Sequence, residues 1–124
     1  ALTLAKELEE LAGITVNYPG LESSPYKPLV DEQFGGLGGA ILTIRAGSRE
    51  KAFKLINSLK YAHIATNIGD LRTLVIHPSS TIYLHSTKEE QEHAGVYEDT
   101  IRISVGIEDV EDLIADFTQA IENI

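Results

Sequence analysis

Apolar positions recur along the chain in two periods, one helical and one alternating. At the start, Leu4, Leu8 and Leu11 share one face of a helix over Leu2 to Leu11, with Lys6, Glu7 and Glu10 elsewhere on the wheel. Gly13 is placed to stop it. This segment reads as a helix running in from another lobe. Residues 1–12 are therefore expected to form an entry helix whose apolar surface a preceding domain covers. A β-branched run, Ile14 to Val16, leads into Tyr18-Pro19-Gly20, where proline presets one turn dihedral and glycine supplies a positive one. Leu21 to Gly39 carries Pro25, Pro28 and four glycines near its end, and reads as loop with one helical turn around Val30 to Gln33.

The second half alternates between strands and helices. Ala40 to Arg45 is the strongest strand. Ser48 can cap a helix to about Leu59, whose stripe is Ala52, Phe53, Leu55, Ile56 and Leu59. Tyr61 to Ala65 and Leu74 to Ile76 are two short strands, the latter ended by Pro78. Thr87 with Glu90 makes a capping box for a short helix carrying His93 in its last turn and followed by Gly95. In Thr100 to Val105, Ile101, Ile103 and Val105 face one way and Arg102 and Ser104 the other. Asp109 caps the last helix, which buries Val110, Leu113, Ile114, Phe117 and Ile121. The order predicts one domain over 1–124, an α/β sandwich with three or four mainly antiparallel strands and helices on one face.

Composition narrows the functional classes. The chain has 124 residues, 43% hydrophobic and 23% charged, which suits one globular domain. Ten Lys and Arg against nineteen Asp and Glu give a net charge of −9, with no basic stripe, which argues against nucleic acid as a partner. The absence of cysteine excludes disulfides, thiolate zinc sites and a cysteine nucleophile, and is compatible with a reducing cytoplasm. The longest apolar stretch, Ala40 to Ile44, is far short of a membrane span, and no signal peptide opens the chain. A soluble intracellular protein is expected. Ala1 in place of Met leaves two readings, removal of an initiator Met or a piece of a longer protein, and the entry helix favours the second.

Few residues invite chemistry. His63, His77, His85 and His93 lack metal-ligand spacing, so no metal is expected, and His63 reads as a hydrogen-bonded packing residue. The cluster Gly35-Gly36-Leu37-Gly38-Gly39 precedes a strand and lacks a Gly-Lys-Ser/Thr ending, so close backbone approach explains it better than phosphate binding. Capping explains Glu108, Asp109, Glu111 and Asp112. Ser79, Ser80 and Thr81 follow His77-Pro78 without a nucleophile elbow and read as a loop that donates hydrogen bonds. Arg102 stands apart, on the polar face of an apolar strand, where it must find an anion or reach solvent. Pattern alone favours a salt bridge to one of the nineteen carboxylates; the alternative is bidentate capture of a ligand carboxylate.

Five blocks in order carry a family resemblance: Tyr18-Pro19-Gly20-Leu21, Gly38-Gly39 before the strand, Asn67-Ile68-Gly69-Asp70, Leu74 to Pro78, and Ile101 to Asp109. Over essentially its whole length the chain resembles the C-terminal domain of the pyridoxal-phosphate enzymes of cysteine and methionine metabolism. Its Tyr18 to Tyr26 stretch with Glu22, Ser23 and Ser24, together with Asn67 and Ile76, is most similar to the O-acetylhomoserine sulfhydrylase branch. The resemblance implies the small domain of a fold-type I enzyme, a cytoplasmic transferase of transsulfuration and methionine biosynthesis that is a homotetramer at full length. It also implies γ-replacement on O-acetylhomoserine, giving homocysteine or methionine, with Arg102 binding the substrate α-carboxylate and Asn67 beside it.

Members of the family often have histidine where Lys27 and Tyr83 stand here, so no role is carried to those positions. The Schiff-base lysine, phosphate cup, stacking aromatic and aspartate of its cofactor domain have no counterpart motif here. The expectation is therefore a substrate-side domain with no catalytic or cofactor-binding residue of its own, inactive alone and partnered by an N-terminal domain that holds pyridoxal phosphate. Alternatives are a cystathionine γ-synthase, cystathionine γ-lyase or methionine γ-lyase relative, and a stand-alone amino-acid-binding regulatory module.

Overall fold

A computed structural model describes residues 1–124. In chain order its elements are α1 (Leu2–Glu9), β1 (Thr15–Asn17), α2 (Lys27–Phe34), β2 (Ile41–Arg45), α3 (Arg49–Ser58), β3 (His63–Ile64), β4 (Leu74–Ile76), a 3-10 turn at Pro78–Ser80, α4 (Lys88–His93), β5 (Thr100–Ser104) and α5 (Val110–Glu122). The strands form one sheet in the order β1-β2-β5-β4-β3, antiparallel except for the parallel pair β3–β4. Five strands replace the three or four expected. The addition is β1, at the β-branched run before Tyr18, which pairs antiparallel with β2; the edge strand expected over Tyr61 to Ala65 shortens to His63–Ile64.

Alternation along the central strands separates two faces. Leu42 and Ile44 of β2, Val75 of β4, and Ile101 and Ile103 of β5 point into the core, where α1, α3 and α5 cover them. Phe117, Leu113, Ala120 and Ile121 of α5 meet Ala52, Leu55 and Ile56 of α3 there. Ser48 accepts the Lys51 N–H and Asp109 the Glu111 N–H, so both caps sit where the sequence puts them. Thr87 and Glu90 complete the capping box of α4.

Three expectations are corrected. The apolar face of α1 is not left for another domain: Leu4 and Leu8 are fully buried against α5 and β1. Exposed apolar side chains gather instead around α2, at Tyr26, Leu29, Phe34 and Leu37, and on β3 and the segment after it, at Ile64, Ile68 and Leu71. Next, α2 has two turns where one was expected. Pro28 falls in its first turn, where no N–H is needed, and Gly35 ends it at φ 59°. Lastly, His63 is exposed on an edge strand, its Nδ1 2.8 Å from the Tyr61 carbonyl oxygen, and packs into nothing. The strand begins so late because buried Asp116 of α5 accepts the N–H groups of Lys60 (2.8 Å), Tyr61 (2.9 Å) and Ala62 (3.3 Å), which would otherwise extend the ladder.

The glycine cluster serves close approach. Tyr18 donates its hydroxyl to the Gly39 carbonyl at 2.8 Å, and a Cβ on Gly38 would lie 2.8 Å from that hydroxyl and 3.0 Å from the Gly20 nitrogen. The Tyr-Pro-Gly turn and the entry to β2 are thereby locked together.

Candidate substrate-binding site

The sheet face away from the helices carries a polar row. Asn17, Thr43 and Arg102 stand opposite one another across β1, β2 and β5, and Ile76 of β4 continues the row. Asn17 Nδ2 lies 3.5 Å from Thr43 Oγ1. Arg102 is thus presented from the middle strand of the sheet, flanked in sequence by two fully buried isoleucines that fix the strand's rotation.

Four arginines occur in the chain, and three have carboxylates. Arg45 lies 2.8 Å from Asp99, Arg49 2.5 Å from Glu98, and Arg72 3.1 Å from Asp70. Arg102 has none. Its Nη2 donates to the backbone carbonyl oxygens of Thr66 (2.7 Å) and Asn67 (3.3 Å), while its Nε–H is buried with no acceptor. The salt bridge that pattern alone favours is therefore absent. A buried donor left unmade costs about 1–3 kcal/mol, so the fold by itself does not use the full donor set of this guanidinium.

Asn67 lies beside Arg102, because the exposed segment between β3 and β4 folds back across β5. The structure thus brings the two candidate residues together, although the link runs through the Asn67 carbonyl and leaves its side-chain amide exposed. Gly69 N–H donates to Ser104 Oγ (3.1 Å), Ile107 N–H to the Leu71 carbonyl (2.9 Å), and the Thr73 hydroxyl to Glu108 (2.9 Å). Glu108 also accepts the Thr73 N–H, so it bolts the segment down rather than capping α5 as its position suggests. Burial pushes the Glu108 carboxyl up, yet the hydrogen bonds from Thr73 and from its own backbone together outweigh this and hold it below its ordinary value of 4.5. Gly106 has no room for a Cβ, which would collide with the Leu71 carbonyl. Sequence reasoning passed over Thr66, Thr73 and Ser104 because a backbone carbonyl and two hydroxyls carry no signal until the segment is folded onto the strand.

Other candidates serve the fold. His77 is buried against Phe53, ring centroids 4.6 Å apart; its Nε2–H donates to the Glu98 carbonyl and its Nδ1 accepts from Ser80 Oγ, both at 2.8 Å. Ser79 donates to Gln91 (2.8 Å), and Thr81 to the His77 carbonyl (2.7 Å). No group of three or more His, Asp or Glu side chains could hold a metal ion. No helix is long and apolar enough to cross a membrane. Nor do the residues fit an aldehyde cofactor held as a Schiff base. Lys6, Lys51 and Lys54 project from α1 and α3 on the other side of the sheet, Lys60 and Lys88 are exposed, and Lys27 is occupied by Asp31 (2.6 Å) and Glu22 (3.6 Å).

Comparison with known proteins gives this arrangement a context. Residues 1–122 match the family model described as Cys/Met metabolism PLP-dependent enzyme. The chain is 45% identical to homocysteine synthase of Schizosaccharomyces pombe over 98% of its own length and 29% of that protein's. It is 43% identical to O-acetyl-L-homoserine sulfhydrylase 1 of Thermus thermophilus, over 92% of this chain and 27% of that protein. With L-methionine gamma-lyase of Fusobacterium nucleatum subsp. polymorphum the identity is 41%, over 88% and 28%. A crystal structure described as an O-acetylhomoserine (thiol)-lyase of Campylobacter jejuni, carrying a pyridoxyl-lysine phosphate, superposes with a TM-score of 0.90 at 36% identity, over 98% of this chain and 30% of that one. The chain thus spans about three tenths of the length of the proteins it matches. By sequence and by fold it belongs to the pyridoxal-phosphate-dependent enzymes of cysteine and methionine metabolism.

Proposed function

We propose that this chain is the substrate-side domain of an O-acetylhomoserine sulfhydrylase-like enzyme, and that Arg102 binds the α-carboxylate of the amino-acid substrate. The observation that carries this reading is the guanidinium itself. Alone among the four arginines it faces no carboxylate, and it keeps a buried Nε–H without an acceptor. Its fork matches two parallel carboxylate oxygens. The Thr66 carbonyl orients the fork in advance, so less ordering is lost on binding. Asn67, whose amide is exposed beside it, is the second substrate-binding residue. This domain binds and orients; the bond making belongs to a further domain that supplies the cofactor lysine, and the chain by itself is inactive.

In the full-length protein, a cytoplasmic homotetramer on this reading, the reaction is γ-replacement. The Cγ–O bond to acetate breaks, a C–S bond to sulfide or a thiol forms, and acetate leaves with the displaced electron pair. Product analysis tests this: O-acetylhomoserine plus sulfide should yield homocysteine and acetate. A second reading, a γ-lyase, has the support of the 41% identity to a methionine gamma-lyase. Release of ammonia and a 2-oxo acid from methionine, with no sulfide-dependent product, would establish it instead.

A further inference from the structure

We infer that Ser104 is a positioning residue for Arg102: its buried hydroxyl holds the segment whose carbonyls aim the guanidinium. The inference rests on the assignment of Arg102 to the substrate carboxylate and extends it to a residue that touches no substrate. Arg102 and Ser104 are two apart on β5 and so share the open face. Nine residues, 65–73, separate β3 from β4, and Thr66 to Gly69 at their tip are exposed. An exposed tip without apolar anchorage has little to define it except hydrogen bonds. At the far end, buried Thr73 is held by Glu108 and by the Gly106 N–H (2.9 Å). At the near end, Ala65 N–H bonds the Val75 carbonyl (3.1 Å). Between those anchors the Leu71 carbonyl accepts the Ile107 N–H (2.9 Å), and Thr66 to Gly69 themselves are tied to β5 by Arg102 and by the Gly69 N–H donated to Ser104 Oγ at 3.1 Å. Ser104 is 1% exposed and sits on the strand, so its hydroxyl is an acceptor of fixed position. Freed from it, the Thr66 and Asn67 carbonyls wander, and the guanidinium they hold at 2.7 and 3.3 Å loses its fixed aim.

The test is a double-mutant cycle in the full-length enzyme, with kcat and KM for the amino-acid substrate and amide exchange of residues 65–73 as readouts. Ser104→Ala should expose the Gly69 amide to faster exchange and raise KM about three- to tenfold with little change in kcat, as expected for weakened ground-state binding. Ser104→Thr, which keeps the hydroxyl, should restore most of it. On an Arg102→Ala background the further change should vanish, because nothing remains to be aimed. An unchanged KM despite lost amide protection, or an equal KM rise on the Arg102→Ala background, overturns the inference while leaving the Arg102 assignment intact. An Arg102→Ala enzyme of normal kcat/KM overturns that assignment first and the positioning with it. If Ser104→Ala fails to fold, Ser104→Cys, similar in volume and a weak acceptor, is subject to the same criteria.

Discussion

Arg102 donates from its exposed Nη2 to the Thr66 carbonyl oxygen at 2.7 Å, while its buried Nε–H meets no acceptor at all. A side chain that serves only the fold would satisfy that donor, as Arg45 does when its Nε donates to Asp99 at 2.8 Å. On the proposed reading, the substrate carboxylate is the partner that this guanidinium lacks.

Removing Arg102 in the full-length enzyme should therefore cost roughly 2–5 kcal/mol of transition-state stabilisation, the range for truncating one partner of a buried charge pair. That is on the order of 30-fold to several thousand-fold in kcat/KM. Arg102→Lys should recover part of it, and Asn67→Ala should cost less, about 1–3 kcal/mol. Steady-state kinetics with cofactor content measured in parallel checks this; an emptied enzyme with unchanged specific kcat/KM would make Arg102 a structural residue.

The 124-residue chain should fold alone, since its core closes over Leu4, Leu8 and Phe117, and should take up no pyridoxal phosphate. Incubation with cofactor followed by dialysis should leave no visible absorption band. A band that borohydride fixes to one of the six lysines would contradict the domain assignment.

Asp116→Ala should destabilise the fold by about 2–4 kcal/mol, because it strands the N–H groups of Lys60 and Tyr61 that bond a buried carboxylate. Asp116→Asn keeps an acceptor and should cost about half. Urea denaturation monitored by circular dichroism reads both.

Gly38→Ala should cost about 1–3 kcal/mol by overpacking against the Tyr18 ring, and Tyr18→Phe about 0.5–1.5 kcal/mol through the lost bond to the Gly39 carbonyl. Combining Gly38→Ala with a smaller residue at position 18 should relieve the clash, so the two costs should be non-additive in the same denaturation assay.

Acid should loosen the segment that carries Asn67. The Glu108 carboxyl is lowered, so its stabilisation is fully present above its unfolded value and is lost as pH falls through the folded one. Stability should stay flat from neutral pH to about 5.5 and fall below about 4.5, the region of an ordinary Glu. Asp70 beside Arg72 and Glu98 beside Arg49 are lowered too, but both pairs are exposed and add little. Thermal melts across this range should show a shallower acid slope for Glu108→Gln.

Much of this molecule could be read along the chain, because its determinants are local. Capping by Ser48, Thr87 and Asp109, the alternation of Ile101, Arg102 and Ile103, and the stripe of α5 are each specified within a turn or two of their own sequence. Five ordered motif blocks did the same for the family. Tertiary structure decided what depends on partners far apart in the chain. Leu4 and Leu8 look identical in sequence whether they face a foreign domain or α5, and only packing buries them. Asp116 delays the start of a strand more than fifty residues away, and Glu108, just ahead of α5, holds Thr73. Arg102 had nineteen carboxylates available to it. Sheet register brought it a backbone carbonyl instead, since hydrogen bonds reach about 3 Å and composition does not say which groups will lie that close.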